Sequence, residues 1–119
     1  MRTGLLLLAL GCTPEVEDSA CDRVPALSYD NYGEGHLNKH CTGCHSSLVP
    51  ADHREGAPPG VDFDTYEGVL TWADRIVARG TGEAPTMPPG GGPSADEVAL
   101  FSEWLSCTVI PEADAWAAE

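Results

Sequence analysis

Apolar side chains recur at helical spacing in three segments of the chain, and the last segment has the clearest start. Ser94 and Glu97 form a capping-box pattern, in which the side chain of each residue accepts a hydrogen bond from the backbone N–H of the other. The apolar positions that follow extend to Cys107 and are Val98, Phe101, Trp104 and Leu105. Because proline lacks the backbone N–H and clashes with the preceding turn, Pro111 is expected to end this helix.

A second segment of helical spacing runs from about Thr65 to Arg79. Asp64 is expected to cap its N-terminus, with Glu67 as the capping-box partner, and Gly80 is expected to close it. The apolar stripe of this helix consists of Tyr66, Val69, Leu70, Ala73, Ile76 and Val77.

The first helical segment runs from about Ser28, the expected N-cap, to His40. Four residues loosely share one of its faces: Tyr29, Tyr32, Leu37 and Cys41. Gly33 and Gly35 weaken this helix by about 1 kcal/mol each relative to Ala, and glycines inside a helix suggest that another helix crosses closely there. No stretch of the chain shows sustained alternation of apolar and polar residues, so the predicted fold class is all-α.

The composition indicates that packing of the helices alone would not stabilise this domain. The chain has 119 residues, enough for one small domain, and its 13 Gly and 10 Pro indicate much loop between short elements. The three helices carry too few large apolar side chains to form a convincing core alone. This shortage predicts a buried prosthetic group at the centre, and a domain this small and rich in loops is expected to need disulfides, a metal or a cofactor.

The N-terminal segment is not expected to belong to the fold. Arg2 is its only charge, and the leucine-rich run that follows is too short to span a bilayer and closes on Gly11 and Cys12. This pattern resembles a bacterial lipoprotein signal, cleaved before a lipidated Cys12. The alternative is an ordinary signal peptide with an incidental Cys. We therefore expect a signal over 1–11, an acidic tether over 12–27, a domain over 28–110 and a C-terminal tail over 111–119.

Either interpretation of the leader predicts export to an oxidising compartment. The lipoprotein interpretation further predicts that the protein lies on the periplasmic side and is held to a bacterial membrane by a lipid anchor alone.

Cys41, Cys44 and His45 form the pattern C-x-x-C-H, which attaches c-type haem. Two thiols three positions apart at a helix end can reach the two vinyl groups of one porphyrin and form thioethers. His45 is then directed at the iron as its proximal ligand. Thr42 and Gly43 are small, which suits a loop lying against the ring. The pattern predicts one covalently bound haem c.

The same residues leave other interpretations open. They could form a bare C-x-x-C disulfide, or half of a zinc site to which His36 or His40 adds further ligands. A thioredoxin-like dithiol is disfavoured because no βαβ pattern surrounds the two cysteines.

Met87 is the candidate for the second axial ligand of the iron. It precedes Pro88 and Pro89 in a Gly- and Pro-rich stretch, so its thioether is expected on a stiff extended loop rather than on a helix. A role as a filler of core gaps fits such a loop poorly. His53 is an alternative ligand, but it follows His45 too closely to reach the opposite face of a porphyrin with ease.

Taken together, these segments resemble a small monohaem cytochrome c. A helix ends in C-x-x-C-H, and a long loop, a helix, a Met-Pro-Pro loop and a capped helix with an aromatic face follow over residues 28–107. The resemblance implies an all-α bundle of about three main helices wrapped around one covalently bound haem. It also implies that the first and last helices cross, and the candidates for that contact are Gly33 or Gly35 and Phe101 or Trp104.

The family also uses a backbone carbonyl, usually that of a proline downstream of the histidine, to orient the proximal imidazole. Pro58 falls near that position in this chain. The resemblance therefore implies a hydrogen bond between His45 and the carbonyl of Pro58.

Two cysteines remain once Cys12 is assigned to the lipid and Cys41 and Cys44 are assigned to haem. In an exported protein, two remaining cysteines most simply pair with each other. We therefore expect a disulfide between Cys21 and Cys107, which would tie the tether to the last helix.

These assignments predict a one-electron carrier and not an enzyme, because His45 and Met87 would fill both axial positions. The 19 Asp and Glu outnumber the six Lys and Arg and give a net charge of −13. Such a surface repels nucleic acid and favours redox protein partners with a basic docking surface, at rates that fall as salt rises. The protein is expected to be a monomer.

Two other classes of function stay open. In a haem enzyme or small-ligand sensor, Met87 would be displaced from the iron. In a structural zinc or disulfide module, no haem would be present.

Overall fold

The structure is a computed structural model that describes residues 21–119. The expected signal over 1–11, its lipidation residue Cys12 and the greater part of the tether over 12–27 lie outside the described residues. Every regular element between residues 21 and 119 is helical, which confirms the predicted all-α class. Over this same range, none of the helices has both the length and the apolar character needed to cross a membrane.

Five α-helices are present in this range, where the pattern predicted three longer ones. We name them α1 (Glu34–His40), α2 (Tyr66–Thr71), α3 (Ala73–Gly80), α4 (Ala95–Trp104) and α5 (Ile110–Ala117). A π-helical turn, Tyr29–Gly33, leads directly into α1, and a π-helical segment, Leu105–Val109, joins α4 to α5. A short 3-10 turn, Ala51–His53, lies in the loop between α1 and α2.

Two of the predicted helix starts are confirmed as complete capping boxes. The Ser28 hydroxyl accepts from the backbone N–H of Asn31 at 3.1 Å, and the Asn31 side chain accepts from the Ser28 N–H at 2.7 Å. Ser94 and Glu97 exchange the same pair of bonds at 3.2 and 2.8 Å at the start of α4. Each box satisfies two backbone donors that the first turn leaves without a helical partner.

The predicted second helix differs in its cap and in its continuity. Thr65, and not Asp64, caps α2, since its hydroxyl accepts from the backbone N–H of Gly68. The Asp64 carboxylate instead accepts hydrogen bonds from the backbone and hydroxyl groups of Ser47, across the loop. The helix also breaks at Trp72, whose indole N–H donates to the carbonyl of Gly60.

The expectation that Pro111 ends the last helix is wrong. The chain passes through the π-helical segment and continues as α5, with Pro111 in the first turn. A proline is tolerated there because the first turn of a helix needs no N–H from that position. Most of the expected tail over 111–119 is therefore helical. It packs on α2 and α3, and the Tyr66 hydroxyl donates to Glu112.

A single cluster of nine buried apolar side chains joins the helices over residues 37–109. Its members are Leu37, Phe63, Val69, Ala73, Ile76, Phe101, Trp104, Leu105 and Val109. Trp104 is the largest of the fully buried side chains, and its ring lies against the backbone of Gly33. A Cβ atom at Gly33 would stand 2.2 Å from Cζ2 of that ring, whereas one at Gly35 would meet nothing within 4 Å. The helix crossing therefore depends on Gly33.

The segment before α1 is fixed to the last helices. Cys21 and Cys107 form a disulfide across a sequence separation of 86 residues. Beside it, Nε and Nη2 of Arg23 donate to the two carboxylate oxygens of Glu103, at 2.6 and 3.0 Å. The Thr108 hydroxyl donates to the carbonyl of Leu27. Residues 21–27 therefore belong to the folded unit, although the pattern placed them in the tether.

The substitution Gly33→Ala is expected to lower the free energy of unfolding by about 2–3 kcal/mol, since the added methyl group overpacks the Trp104 ring. The matched substitution Gly35→Ala is expected to leave stability unchanged or to raise it by up to about 1 kcal/mol, because it only adds helix propensity. Urea unfolding followed by circular dichroism measures both values. Equal stabilities for the two variants would contradict the close crossing.

Replacing both Cys21 and Cys107 with Ser is expected to lower the free energy of unfolding by about 4–5 kcal/mol. The loss arises mainly because the unfolded chain regains the freedom of a long closed loop. Urea unfolding of the oxidised parent and the double variant measures the difference. Adding a reductant should lower the free energy of unfolding of the parent to that of the double variant. A parent whose stability does not change with reductant would contradict the disulfide between Cys21 and Cys107.

Candidate functional site

The segment Cys41–His45 is a tight turn built directly onto the end of α1. The backbone N–H groups of Cys41 and Thr42 both donate to the carbonyl of Leu37, at 2.7 and 2.9 Å. The N–H of His45 donates to the carbonyl of Cys41 at 2.9 Å. Since Leu37 belongs to the buried core, the position of the motif is fixed by the packing of α1.

Both cysteines of this turn are free thiols, so they are not joined to each other. Burial raises the pKa of the Cys41 thiol to about 12. Reactive dithiols work as thiolates with a lowered pKa, and the shift at Cys41 has the opposite direction. The Cys41 thiol therefore lacks the lowered pKa of a reactive thiolate.

The His45 ring is held on two sides. Its Nδ1 atom lies 2.8 Å from the carbonyl oxygen of Val61, and the ring stacks on Phe63 with 4.8 Å between centroids. The backbone N–H of Phe63 also donates to the His45 carbonyl. Because a carbonyl oxygen only accepts, Nδ1 carries the proton and the Nε2 lone pair is left to bind a metal.

The resemblance implied that the carbonyl of Pro58 would bond to His45. In the structure, the carbonyl beside Nδ1 of His45 is instead that of Val61. The N–H of Val61 donates to the Pro58 carbonyl at 3.2 Å, which closes a turn through Gly60 at a φ of 91°. The Pro58 carbonyl therefore faces its own turn, where it also accepts from Arg54. This turn carries the chain past Pro58, so that Val61 meets the imidazole.

Arg54 organises this loop, although no pattern in the sequence singled it out. It is only 3% exposed. Its Nε donates to Ala57, its Nη2 to Pro58 and Val61 and its Nη1 to Ser46, in every case to the backbone carbonyl. Nη1 also lies 2.7 Å from a carboxylate oxygen of Asp62. The guanidinium thus donates four hydrogen bonds to backbone carbonyls and has the Asp62 carboxylate as its ion-pair partner.

A signal for Arg54 does exist in the sequence, but it is indirect. The loop between α1 and α2 is long and rich in Gly and Pro, and buried carbonyls in such a loop need donors from side chains. Arg54 is the only Arg or Lys between Lys39 and Arg75. Its role follows from that need, although its individual partners do not.

Met87 lies on the loop between α3 and α4. The backbone N–H groups of Thr86 and Met87 both donate to the Arg79 carbonyl at 2.9 Å, so the loop is anchored to the end of α3. The Met87 side chain is 38% exposed. It lines a cavity of about 360 Å³ together with Pro88, Val98 and other residues of this loop and of α4.

The loop that carries Met87 reaches α1 next to the C-x-x-C-H turn. A Cβ atom built at Gly92 would lie 3.4 Å from Nδ1 of His40 and 3.9 Å from the Pro88 ring. At Gly92, this loop therefore passes close to His40, the residue that precedes Cys41. The residues lining the cavity itself come from the loop and α4, and Cys41, Cys44 and His45 are not among them.

The other histidines have local partners. The His53 side chain is 70% exposed and its Nδ1 lies 3.0 Å from Asp52. His36 contacts the Phe101 ring at 4.0 Å between centroids, and burial lowers the pKa of its imidazole to about 4. Nε2 of His40 lies 3.5 Å from a carboxylate oxygen of Glu97. Within residues 21–119, no group of three or more His, Cys, Asp or Glu side chains is arranged to hold a metal ion.

The donor set at the end of α1 fits a covalently attached haem better than it fits zinc. Two unpaired thiols stand on one turn, and the next residue presents an imidazole whose Nδ1 is already bonded. A structural zinc site needs four ligands, whereas a c-type haem needs two thiols and one imidazole from this segment.

Comparison of the chain with protein-family models, with curated proteins and with solved structures finds no match in any of the three. The interpretation of the site therefore depends on the chemistry and geometry of its own residues.

Proposed function

We propose that this protein is a one-electron carrier that binds one haem c. Cys41 and Cys44 would form the two thioethers, and His45 and Met87 would be the axial ligands of the iron. The observation that supports the proposal most strongly is the C-x-x-C-H turn at the end of α1. There two free thiols precede an imidazole whose Nδ1 is bonded to a carbonyl.

When bound, haem supplies a reversible one-electron couple. The protein residues contribute orientation and ligand chemistry. His45 is held by the Val61 carbonyl, which occupies Nδ1, leaves Nε2 for the iron and raises the basicity of the ring. Met87 offers a soft thioether, a ligand that favours reduced iron and raises the potential. Because both axial positions would be filled, the proposal is a carrier and not an enzyme.

The proposed setting is extracytoplasmic. On the lipoprotein interpretation, Cys12 carries the lipid, and the cleaved leader takes Arg2 with it, which makes the remaining chain still more acidic than −13. A partner with a basic docking surface would be attracted at low salt, and the exchange of electrons would slow as salt rises. The lipid would restrict the search to partners at the same membrane.

The first test is to express the full chain together with a bacterial haem-attachment system. Haem is expected to stay with the protein through acid-acetone extraction, and mass spectrometry should place it on the peptide that contains Cys41 and Cys44. The variant Cys41→Ser/Cys44→Ser is the control and should yield no covalent haem. Wild-type protein whose two sulfurs are free, or bonded to each other, would overturn the proposal.

The second test asks whether Met87 binds the iron. Met87→Ala is expected to abolish the far-red iron–sulfur absorption band of the oxidised protein and to lower its reduction potential. His53→Ala should leave both unchanged, because His53 is exposed and paired with Asp52. If Met87→Ala keeps the band, Met87 is not a ligand. Rapid binding of carbon monoxide by the reduced parent would favour the enzyme or sensor alternative.

A further inference from the structure

We propose that Arg54 sets the reduction potential of the haem iron through the carbonyl of Val61, and that Asp62 opposes it. This inference rests on the proposed function, because it needs His45 as the proximal ligand. Arg54 would act as a positioning and tuning residue, since it reaches the imidazole only through Val61.

The geometry centres on one oxygen atom with two donors. The Val61 carbonyl oxygen lies 2.8 Å from Nδ1 of His45 and 3.2 Å from Nη2 of Arg54. A carbonyl oxygen has two lone pairs, so both bonds can exist together. The oxygen must nevertheless share its electron density between a neutral imidazole N–H and a cationic guanidinium N–H.

This sharing has a direction. A cation that bonds to the Val61 oxygen makes it a weaker acceptor for the His45 proton. The imidazole then gains less anionic character and donates less electron density through Nε2. Weaker donation removes more stabilisation from the oxidised iron than from the reduced iron, so Arg54 should raise the potential.

Burial makes the effect larger. The Arg54 side chain is 3% exposed, and a charge shielded from water acts more strongly on its neighbours. The four hydrogen bonds to the carbonyls of Ser46, Ala57, Pro58 and Val61, together with the ion pair to Asp62, also keep the guanidinium in a single orientation. The Nη2 group of Arg54 therefore stays beside the Val61 oxygen and does not rotate among other positions.

Asp62 limits this effect. One of its carboxylate oxygens lies 2.7 Å from Nη1, and the side chain is 22% exposed. Its negative charge reduces the net positive field that the Val61 oxygen experiences. Neutralising Asp62 should therefore strengthen the influence of Arg54, whereas neutralising Arg54 should leave Asp62 unopposed.

The two residues consequently predict potential shifts of opposite sign. A role limited to tying the loop together predicts the same sign for both, because any loosening of the loop admits water to the haem and lowers the potential. The sign of the Asp62 effect separates the tuning role from a purely structural one.

The experiment compares haem-loaded Arg54→Met and Asp62→Asn with the parent by redox titration against mediators of known potential. Arg54→Met should shift the equilibrium with a mediator about tenfold toward oxidised protein, equivalent to about 59 mV for one electron. Asp62→Asn should shift it toward reduced protein. In the reduced state, Arg54→Met should also move the nuclear magnetic resonance signal of the His45 Nδ1 proton downfield, because its hydrogen bond strengthens.

Arg23→Met is the matched control, since it also removes an Arg from an ion pair with a carboxylate. The Arg23–Glu103 pair is at the surface, with 46% of the Arg23 side chain exposed, so no shift in potential is expected. If Arg54→Met fails to fold, Asp62→Asn decides alone, because it keeps every bond from Arg54 to a backbone carbonyl.

The outcomes separate the two proposals. A parent protein without covalent haem overturns both the carrier function and this inference. A haem protein whose potential is unchanged in the two variants, or lowered by Asp62→Asn, overturns the inference and leaves the carrier function standing.

Discussion

The contact between Gly33 and the Trp104 ring determines where the candidate site stands. Because no Cβ fits at Gly33, the start of the first helix lies against α4 at the closest distance that a backbone and an aromatic ring allow. From that contact, α1 runs through the buried Leu37 to the turn that carries Cys41. The site is therefore the direct continuation of a packed helix, and its geometry follows from the core.

The second layer of the site comes from a loop without regular structure. The turn that ends at Val61 brings a carbonyl to His45, and Arg54 holds that turn by bonding its backbone. Such a loop is stabilised by one buried side chain where a helix or sheet would use its own hydrogen bonds. The proposed ligand orientation and the proposed tuning of the potential both depend on this single guanidinium.

The sequence was sufficient where local chemistry decides. The caps at Ser28 and Ser94 need only residues three positions apart, and the absence of alternation predicted the all-α class. It was insufficient where distant residues decide. Pro111 matches a helix-end signal, but the preceding π-helical segment places it in the first turn of α5. Pro58 matches the position from which the resemblance implied a carbonyl bonded to His45, but one intervening turn brings the carbonyl of Val61 there instead. The partners of Arg54 lie at several points of a folded loop, which no local pattern encodes.

If Cys12 carries the proposed lipid, the disulfide also limits how far the domain can move from the membrane. Because Cys21 is joined to Cys107 on the π-helical segment, the number of residues between Cys12 and Cys21 would set the distance from the proposed lipid to the domain. On the proposed lipid anchor, a fully extended segment of that length spans roughly 30 Å. This length is comparable to the diameter of a small domain. The proposed haem would then stay within a limited distance of the bilayer surface. A partner whose docking site lies farther from that surface could not bind.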